Sequence, residues 1–214
     1  MGVFVLAGPC YVRGNIYNEY RFLILANLNC GNEHILNACK RAIIPGAAFC
    51  MSNNLVITGI PRSGTSYVCA LLNAIENTVL VNEPLEALQL LHNSSCRTLA
   101  DYYAATRDSI LKGLPIQNKI VDGRFIEDTN ENDVRNYYVP RVSDATFVFG
   151  SKNTFVYLVC LDKIRAQLPD AVVLACIRHP YDVIASWKRV RFPHLKNANP
   201  MFFVDYATEQ QRAE

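Results

Sequence analysis

From about residue 54 onward, short apolar runs alternate with segments whose apolar residues recur every three or four positions. The runs are rich in β-branched residues and predict buried strands at residues 55–59, 78–81, 146–150 and 171–177. The three-to-four spacing predicts helices at residues 66–75, 85–92, 98–111, 154–167 and 182–190, and a last helix beginning near Phe203. Strands that alternate with helices predict an α/β fold with a mainly parallel central sheet, whose ligand sites lie beyond the carboxyl ends of the strands.

Two parts of the chain do not follow this alternation. Residues 1–50 show no strand–turn–helix order, and Met51 comes directly before the first clear strand signal. We therefore expect an irregular N-terminal extension over residues 1–50 and a functional domain over residues 51–214. Residues 113–142 mix Gly, Pro, Asn and Asp, which predicts a long, lid-like connection.

Composition narrows the class of protein. The chain has 214 residues, of which 50% are hydrophobic and 19% charged, with a formal net charge of +2. This length suits one domain or one domain plus an extension, and the apolar content excludes a wholly disordered chain. A near-neutral charge without a long basic block argues against a nucleic-acid or anionic-membrane partner. Apolar runs stay well below the ~20 residues that span a bilayer.

Eight cysteines are present, but none forms a C-x-x-C pair and the histidines lack zinc-ligand spacing, so we expect no metal site. Cys69, Cys160 and Cys176 lie in apolar runs, where a free thiol behaves as a small buried apolar group. Free thiols of this kind predict a reducing, cytoplasmic compartment.

Residues 59–66, which read G-I-P-R-S-G-T-S, carry the strongest chemical signal. Gly59 and Gly64 permit backbone angles that side chains forbid, and Pro61 stiffens the loop. The amides at its end lie at a predicted helix N-terminus, which favours an anion, and Arg62 adds a permanently charged fork. The candidate anion-binding residues are Pro61, Arg62, Ser63, Gly64, Thr65 and Ser66. An ordinary strand–helix turn, capped by Ser66, is the alternative interpretation.

The same residues nearly fit the nucleotide-triphosphatase loop G-x-x-x-x-G-K-[ST], but Thr65 stands where the lysine belongs. That lysine reaches the β- and γ-phosphates, so its absence argues against ATP or GTP as donor. A small-molecule kinase with a divergent loop remains an alternative.

The P-R-S-G-T-S sequence of residues 61–66 resembles the 5′-phosphosulfate loop of sulfotransferases, in the branch that includes bacterial and tyrosylprotein sulfotransferases. These enzymes have a P-loop-like three-layer α/β fold. Their donor is 3′-phosphoadenosine-5′-phosphosulfate (PAPS), and 3′-phosphoadenosine 5′-phosphate (PAP) is the product. The resemblance implies sulfuryl transfer, without a metal, to a hydroxyl or amine of a small-molecule, glycan or peptide acceptor.

A second segment, residues 171–187, is similar to the family's 3′-phosphate segment, a strand followed by R-x-P and a serine on the next helix. The resemblance implies that Arg178 and Ser186 bind the 3′-phosphate through charge and hydrogen bonds. His179 stands where the family often has aspartate, and we expect it to be a solvated turn residue. Trp187 is expected to pack.

Glu83, Arg62 and Lys152 are the candidate catalytic residues. Glu83 follows the second predicted strand, and the resemblance implies that it is the general base; a free glutamate is ionised at neutral pH and can accept a proton. An acidic residue placed for the helix dipole is the alternative, and Glu86 lies close by. Lys152 resembles the family's strand-end lysine, which implies charge neutralisation at the sulfuryl group or the leaving oxygen. A solvated loop lysine is the alternative there.

Family domains usually extend well beyond the second segment, whereas 28 residues follow Ser186 here, ending in a helix-like run at residues 206–214. We therefore expect a chain truncated at its C-terminus, which leaves a non-catalytic PAP- or PAPS-binding remnant as a third interpretation. Lys188 and Arg189 are expected on a solvated helix face. Residues 94–142 are expected to shape the acceptor pocket, although the acceptor itself cannot be predicted.

Overall fold

The structure is a computed structural model, and it describes residues 2–6, 10–12, 15–17, 22–25, 53–92, 96–121, 124–126 and 134–189. Twelve strands lie in these described residues: β1 (Gly2–Leu6), β2 (Cys10–Val12), β3 (Asn15–Tyr17), β4 (Phe22–Leu25), β5 (Asn54–Gly59), β6 (Thr78–Asn82), β7 (Ile116–Asn118), β8 (Ile120–Val121), β9 (Arg124–Phe125), β10 (Asn136–Tyr138), β11 (Val148–Lys152) and β12 (Val172–Ile177). The same residues contain six helices: α1 (Thr65–Asn73), α2 (Leu85–His92), α3 (Leu99–Leu111), α4 (Phe155–Val159), α5 (Leu161–Gln167) and α6 (Pro180–Arg189).

The central sheet has six strands in the order β4-β1-β12-β5-β11-β6. The four strands β12, β5, β11 and β6 are parallel, whereas β1 is antiparallel to β12 and β4 is antiparallel to β1. The predicted α/β fold with a mainly parallel central sheet is confirmed. Because parallel strands run in one direction, the carboxyl ends of these four strands lie along the same edge of the sheet.

Helices cover both faces of the parallel strands, which gives three layers. Alternate residues of β5 point to opposite faces, so that Val56 packs in one buried cluster and Leu55 and Ile57 pack in the other. The first cluster includes residues of α2, α3, α4 and α5, and the second includes residues of α1. Burial on both faces explains why β5 and β6 read as almost continuous apolar runs rather than as alternating patterns.

Two predicted elements differ in detail from the structure. The strand predicted at residues 146–150 is Val148–Lys152, because β11 pairs with both β5 and β6 as far as Lys152. The single helix predicted at residues 154–167 is divided at Cys160 into α4 and α5. Cys160 has φ −92° and ψ 19°, and apolar spacing could not reveal this one-residue break because the spacing continues across it.

The irregular segment predicted over residues 1–50 contains four strands within its described part. Strand β1 pairs with β12 and β4 pairs with β1, so they satisfy backbone groups that β12 would otherwise leave unpaired at a sheet edge. The division into residues 1–50 and 51–214 stays a prediction. The helix predicted near Phe203 and the run at residues 206–214 lie outside the described residues.

The connection predicted over residues 113–142 is attached to the sheet in its described part. Asn118, which ends β7, accepts a hydrogen bond from the Asn82 amide at 2.8 Å and donates one to the Leu80 carbonyl at 2.8 Å. Its side chain therefore occupies the open edge of β6, and β10 pairs with β7 on the far side. An amide side chain thus satisfies the edge strand at two backbone positions, and the lid-like character of the connection stays a prediction.

The helices of the described residues are all too short or too polar to cross a bilayer. Cys69, Cys160 and Cys176 are buried free thiols, which confirms the prediction for these three residues.

Candidate functional site

Four neighbouring parallel strands deliver the predicted site residues to one edge of the sheet. Strand β12 leads to Arg178, β5 leads into the loop of residues 60–64, β11 ends at Lys152, and β6 is followed by Glu83. The order of the strands in the sheet is β12, β5, β11, β6. Lys152 therefore lies between the loop and Glu83, at the edge where α/β sheets bind ligands.

The loop begins with a tight turn. The Ser63 amide donates to the Ile60 carbonyl at 3.0 Å, with Pro61 and Arg62 as the two central residues. Arg62 has φ 72°, an angle that the third position of such a turn usually gives to glycine. A non-glycine residue in this region costs about 1–3 kcal/mol, and such strain concentrates at functional sites.

Helix α1 begins directly after this turn with its N-terminal end open. Gly64, the N-cap, has φ 94°, and within residues 64–73, all of which are described, no side chain caps the helix and no acidic residue lies in its first turn. Ser66 is the second helical residue and its hydroxyl accepts from Lys152, so Ser66 is not the cap. The positive end of the helix dipole is available to an anion.

Ser63 supplies a buried hydroxyl at the same place. The residue is 1% exposed, and its Oγ has no hydrogen-bond partner among the described residues. Leaving a buried polar group unpaired costs about 1–3 kcal/mol. Ser63 Oγ is buried 2.8 Å from where a Cβ of Gly59 would lie, so the open helix end is the part of this loop that fits an anionic ligand.

The two sequence motifs contact each other. Arg62 Nε donates to Ser186 Oγ at 3.1 Å, and an Arg178 guanidinium nitrogen donates to the Arg62 carbonyl at 3.3 Å. Trp187 Nε1 donates to the Pro61 carbonyl at 2.9 Å. Ser186 lies in the second turn of α6. Residues more than 110 positions apart in the sequence are thus joined, while their roles in ligand binding stay predictions.

The carboxylate of Glu83 lies between two buried lysines. Lys152 Nζ is 2.6 Å from Oε1 and Lys119 Nζ is 2.7 Å from Oε2. Lys152 also donates to Ser66 Oγ at 3.2 Å, which links the carboxylate to the loop. The side chains of Lys152 and Lys119 are 2% and 5% exposed, so water and salt screen these ion pairs weakly. The alternative of a solvated Lys152 is therefore wrong.

The backbone of Glu83 is held as firmly as its side chain. Its amide donates to the Lys152 carbonyl at 2.7 Å, and its carbonyl accepts from Arg135 at 2.5 Å. Glu83 has φ 51°, a second non-glycine residue of the site in the left-handed region. Glu86 differs: it is the acidic residue in the first turn of α2 and pairs with Arg97 on the surface.

Three residues of the site were not predicted from the sequence: Lys119, Arg135 and Asn118. The first two reach Glu83 from the segment of residues 113–142, and Asn118 holds Lys119 in place by accepting from its amide at 2.8 Å. No periodicity or motif marks them. The sequence feature that could have indicated them is that all three lie within residues 94–142, the segment expected to shape the acceptor pocket.

A buried hydroxyl network fixes the strand end that carries Lys152. Ser151 Oγ lies 2.8 Å from the Tyr103 hydroxyl and 2.7 Å from the Tyr157 hydroxyl, and Tyr103 donates to the Leu55 carbonyl at 3.0 Å. Burial raises the pKa of both phenols well above the ordinary value, so they stay protonated at neutral pH. The network is a neutral support for β11 rather than a source of charge.

Neither a cysteine nor a metal cluster adds chemistry to this site in the described part of the chain. Burial raises the pKa of Cys69 to about 12, although the charge of Lys152 opposes the shift, so Cys69 stays a thiol. Within the described residues, no three His, Cys, Asp or Glu side chains are grouped as metal ligands.

Comparison with protein families gives one match. A family model described as Sulfotransferase family matches residues 54–213, a range that contains the loop, Glu83, Lys152, Arg178 and Ser186. Comparisons with curated proteins and with solved structures return no match.

Proposed function

Because the chain belongs to the sulfotransferase family, we propose that it transfers a sulfuryl group from PAPS to a hydroxyl or amine acceptor. Lys152 carries the proposal: its ammonium contacts both Ser66 in the loop and the carboxylate of Glu83. A cation between an anion-binding loop and a carboxylate suits in-line transfer, which depends on positioning and on stabilising charge.

The donor groups at the loop suit a sulfate ester better than a triphosphate. The open end of α1 and the Arg62 guanidinium would hold the 5′-phosphosulfate. Arg178 and Ser186, which join the loop through Arg62, would hold the 3′-phosphate. Thr65, buried at the position of the triphosphatase lysine, cannot reach a γ-phosphate as that lysine does.

The proposed reaction needs one proton acceptor and one charge stabiliser. Glu83 takes the proton of the acceptor O–H or N–H while the acceptor atom forms its bond to sulfur. The bond between sulfur and the bridging phosphate oxygen breaks, and its electron pair stays on that oxygen, which leaves as part of PAP. Lys152 and the loop amides stabilise the charge that develops there. Ion pairs with Lys152 and Lys119 hold the carboxylate of Glu83 in place, and a glutamate that is ionised at neutral pH can accept a proton.

The proposal extends to the setting of the reaction. Buried free thiols at Cys69, Cys160 and Cys176 support a reducing, cytoplasmic compartment. We propose a small-molecule, glycan or peptide acceptor, with no nucleic-acid or membrane partner, and sulfuryl transfer that needs no metal.

Calorimetric titration with PAP, adenosine 5′-phosphosulfate and ATP, side by side on the full chain, tests the donor. We expect PAP to bind most tightly, adenosine 5′-phosphosulfate more weakly because it lacks the 3′-phosphate, and ATP weakest. Transfer is then measured with ³⁵S-labelled PAPS against a panel of phenols, sugars, amines and tyrosine peptides.

Two results would overturn the proposal. ATP binding tighter than PAP binding, together with ATP hydrolysis, would favour a kinase. Tight PAP binding without transfer to any member of the panel would favour a non-catalytic PAP-binding protein.

A further inference from the structure

The two lysines at Glu83 come from different parts of the fold. Lys152 ends a central strand and also contacts Ser66 in the first turn of α1, on the side where an anionic donor would bind. Lys119 lies between β7 and β8 and bonds the other carboxylate oxygen, Oε2, from the opposite side of Glu83. An anion at the loop would compete with Glu83 for the ammonium of Lys152, whereas Lys119 faces the carboxylate from the segment beyond β6.

Lys119 is fixed by its backbone as well as by its ion pair. Its amide donates to Asn118 Oδ1 at 2.8 Å, and its carbonyl accepts from the Ile126 amide at 3.0 Å. Asn118 also accepts a hydrogen bond from the backbone amide of Asn82, which is the last residue of β6 and directly precedes Glu83. Lysine and glutamate are thus attached to the same strand edge, and the lysine side chain, 5% exposed, is buried beside the carboxylate.

We infer that Lys119 is a positioning residue that keeps Glu83 ionised and holds its carboxylate in place while Lys152 serves the donor. This inference rests on the proposed function. An opposite charge in hydrogen-bond contact stabilises the ionised carboxylate, and weak screening at a buried pair preserves the effect.

Three groups near Glu83 in the described part of the chain do not titrate in the same range. Arg135 is permanently charged and bonds the Glu83 carbonyl. Cys69 and Tyr157 both sense the charge of Glu83, but burial raises the pKa of each, so both stay neutral where a carboxylate titrates. A difference in the titration of Glu83 between a variant and the parent is therefore not due to these three groups.

The test is a direct titration of Glu83 in the full chain, labelled with ¹³C at the glutamate carboxyls and followed by NMR. Glu83→Gln identifies the resonance. We expect Lys119→Met and Lys119→Gln to move the titration midpoint upward by about 1–3 pH units, and Lys119→Arg to leave it near that of the parent.

The matched control is Lys112→Met. Lys112 also lies 2.6 Å from a carboxylate, that of Asp108, but both side chains are more than half exposed, so its removal leaves the Glu83 midpoint unchanged. Circular dichroism confirms that each variant is folded. A Glu83 midpoint that does not move in either neutral variant at position 119 overturns the inference, as does failure of Lys119→Arg to restore it.

Kinetics give a second measurement that a purely structural role would not reproduce. We expect the acidic limb of kcat for sulfuryl transfer to move upward in Lys119→Met together with the midpoint, kcat at neutral pH to fall by roughly 10- to 100-fold through loss of positioning, and KM for PAPS to stay unchanged. The titration needs neither donor nor acceptor. If the parent transfers no sulfuryl group, the proposed function fails; if it does transfer and the midpoint stays fixed, the role of Lys119 alone fails.

Discussion

The two halves of the site are assembled in different ways. Under the proposed function, the donor half is one contiguous loop, residues 59–66, joined to α6 by the contact between Arg62 and Ser186. The proposed acceptor half consists of Glu83 and the long side chains of Lys119 and Arg135, which reach it from a distant segment. The donor half depends on backbone shape, and the acceptor half depends on where side-chain tips meet.

This difference has a physical origin. The loop that leads into α1 takes unusual backbone angles, and those angles demand particular residues at particular spacings, as Gly59 and Gly64 show. A lysine tip can reach a carboxylate from many backbone positions, so no spacing is imposed. A lysine that pairs with Glu83 could therefore come from several positions in the chain, whereas the loop needs its glycines at fixed spacings.

Replacement of the carboxylate separates the two halves most strongly. We expect Glu83→Gln to lower the rate of sulfuryl transfer by roughly 10²- to 10⁴-fold, because the amide keeps the shape of the side chain but cannot accept a proton. The affinity for PAP should not fall, because the loop and Arg178 are untouched. Single-turnover transfer from ³⁵S-labelled PAPS and calorimetry with PAP measure the two quantities.

Glu86→Gln is the control, since Glu86 lies three residues away on the surface and pairs with Arg97. Its transfer rate should equal that of the parent. Near-normal transfer by Glu83→Gln would remove Glu83 from the mechanism, and a loss of PAP binding would show that the halves are not independent.

The same contrast explains what could be predicted from the sequence. The loop, strands β5 and β6 and helix α2 were predictable, because buried parallel strands and a contiguous motif leave local patterns. Lys119 was not, because its position depends on Asn118 bonding the edge of β6, a contact between residues 36 positions apart. The end of β11 at Lys152 likewise depends on pairing with two neighbours rather than on its own residues.

A methyl group at Gly59 tests the backbone side of the comparison. Gly59 has φ 152°, and a Cβ there would lie 2.5 Å from the Cys176 carbonyl oxygen and 2.8 Å from Ser63 Oγ. The carbonyl belongs to a central strand and cannot move away easily. We expect Gly59→Ala to lower the free energy of unfolding by about 2–4 kcal/mol, from backbone strain and overpacking, and to weaken PAP binding by displacing Ser63.

Gly113→Ala separates strain from crowding. Gly113 has φ 66°, but a Cβ there meets nothing within 4 Å. We therefore expect Gly113→Ala to lower the free energy of unfolding by about 1–2 kcal/mol, from the left-handed backbone alone. Urea unfolding followed by circular dichroism measures both variants. Equal losses of unfolding free energy in Gly59→Ala and Gly113→Ala would mean that the loop moves to accommodate the added methyl group. Its close contact with β12 would then not contribute to stability.

Arg178 decides whether the donor half recognises the nucleotide or only supports its own structure. Arg178 donates to the Arg62 carbonyl and its Nε lies 3.8 Å from Asp182, so removing it could weaken the loop without any direct contact to a ligand.

If Arg178 binds the 3′-phosphate, Arg178→Ala lowers the affinity for PAP by roughly 10- to 100-fold, the value of a charged hydrogen bond, and leaves the affinity for adenosine 5′-phosphosulfate unchanged. Arg178→Lys keeps the charge but loses the planar fork, so its affinity for PAP should lie between that of the parent and that of Arg178→Ala. Arg189 is exposed at the end of α6, and the control variant Arg189→Ala should bind both nucleotides normally. Equal losses for both nucleotides would assign Arg178 to the support of Arg62, and the 3′-phosphate would then need another partner.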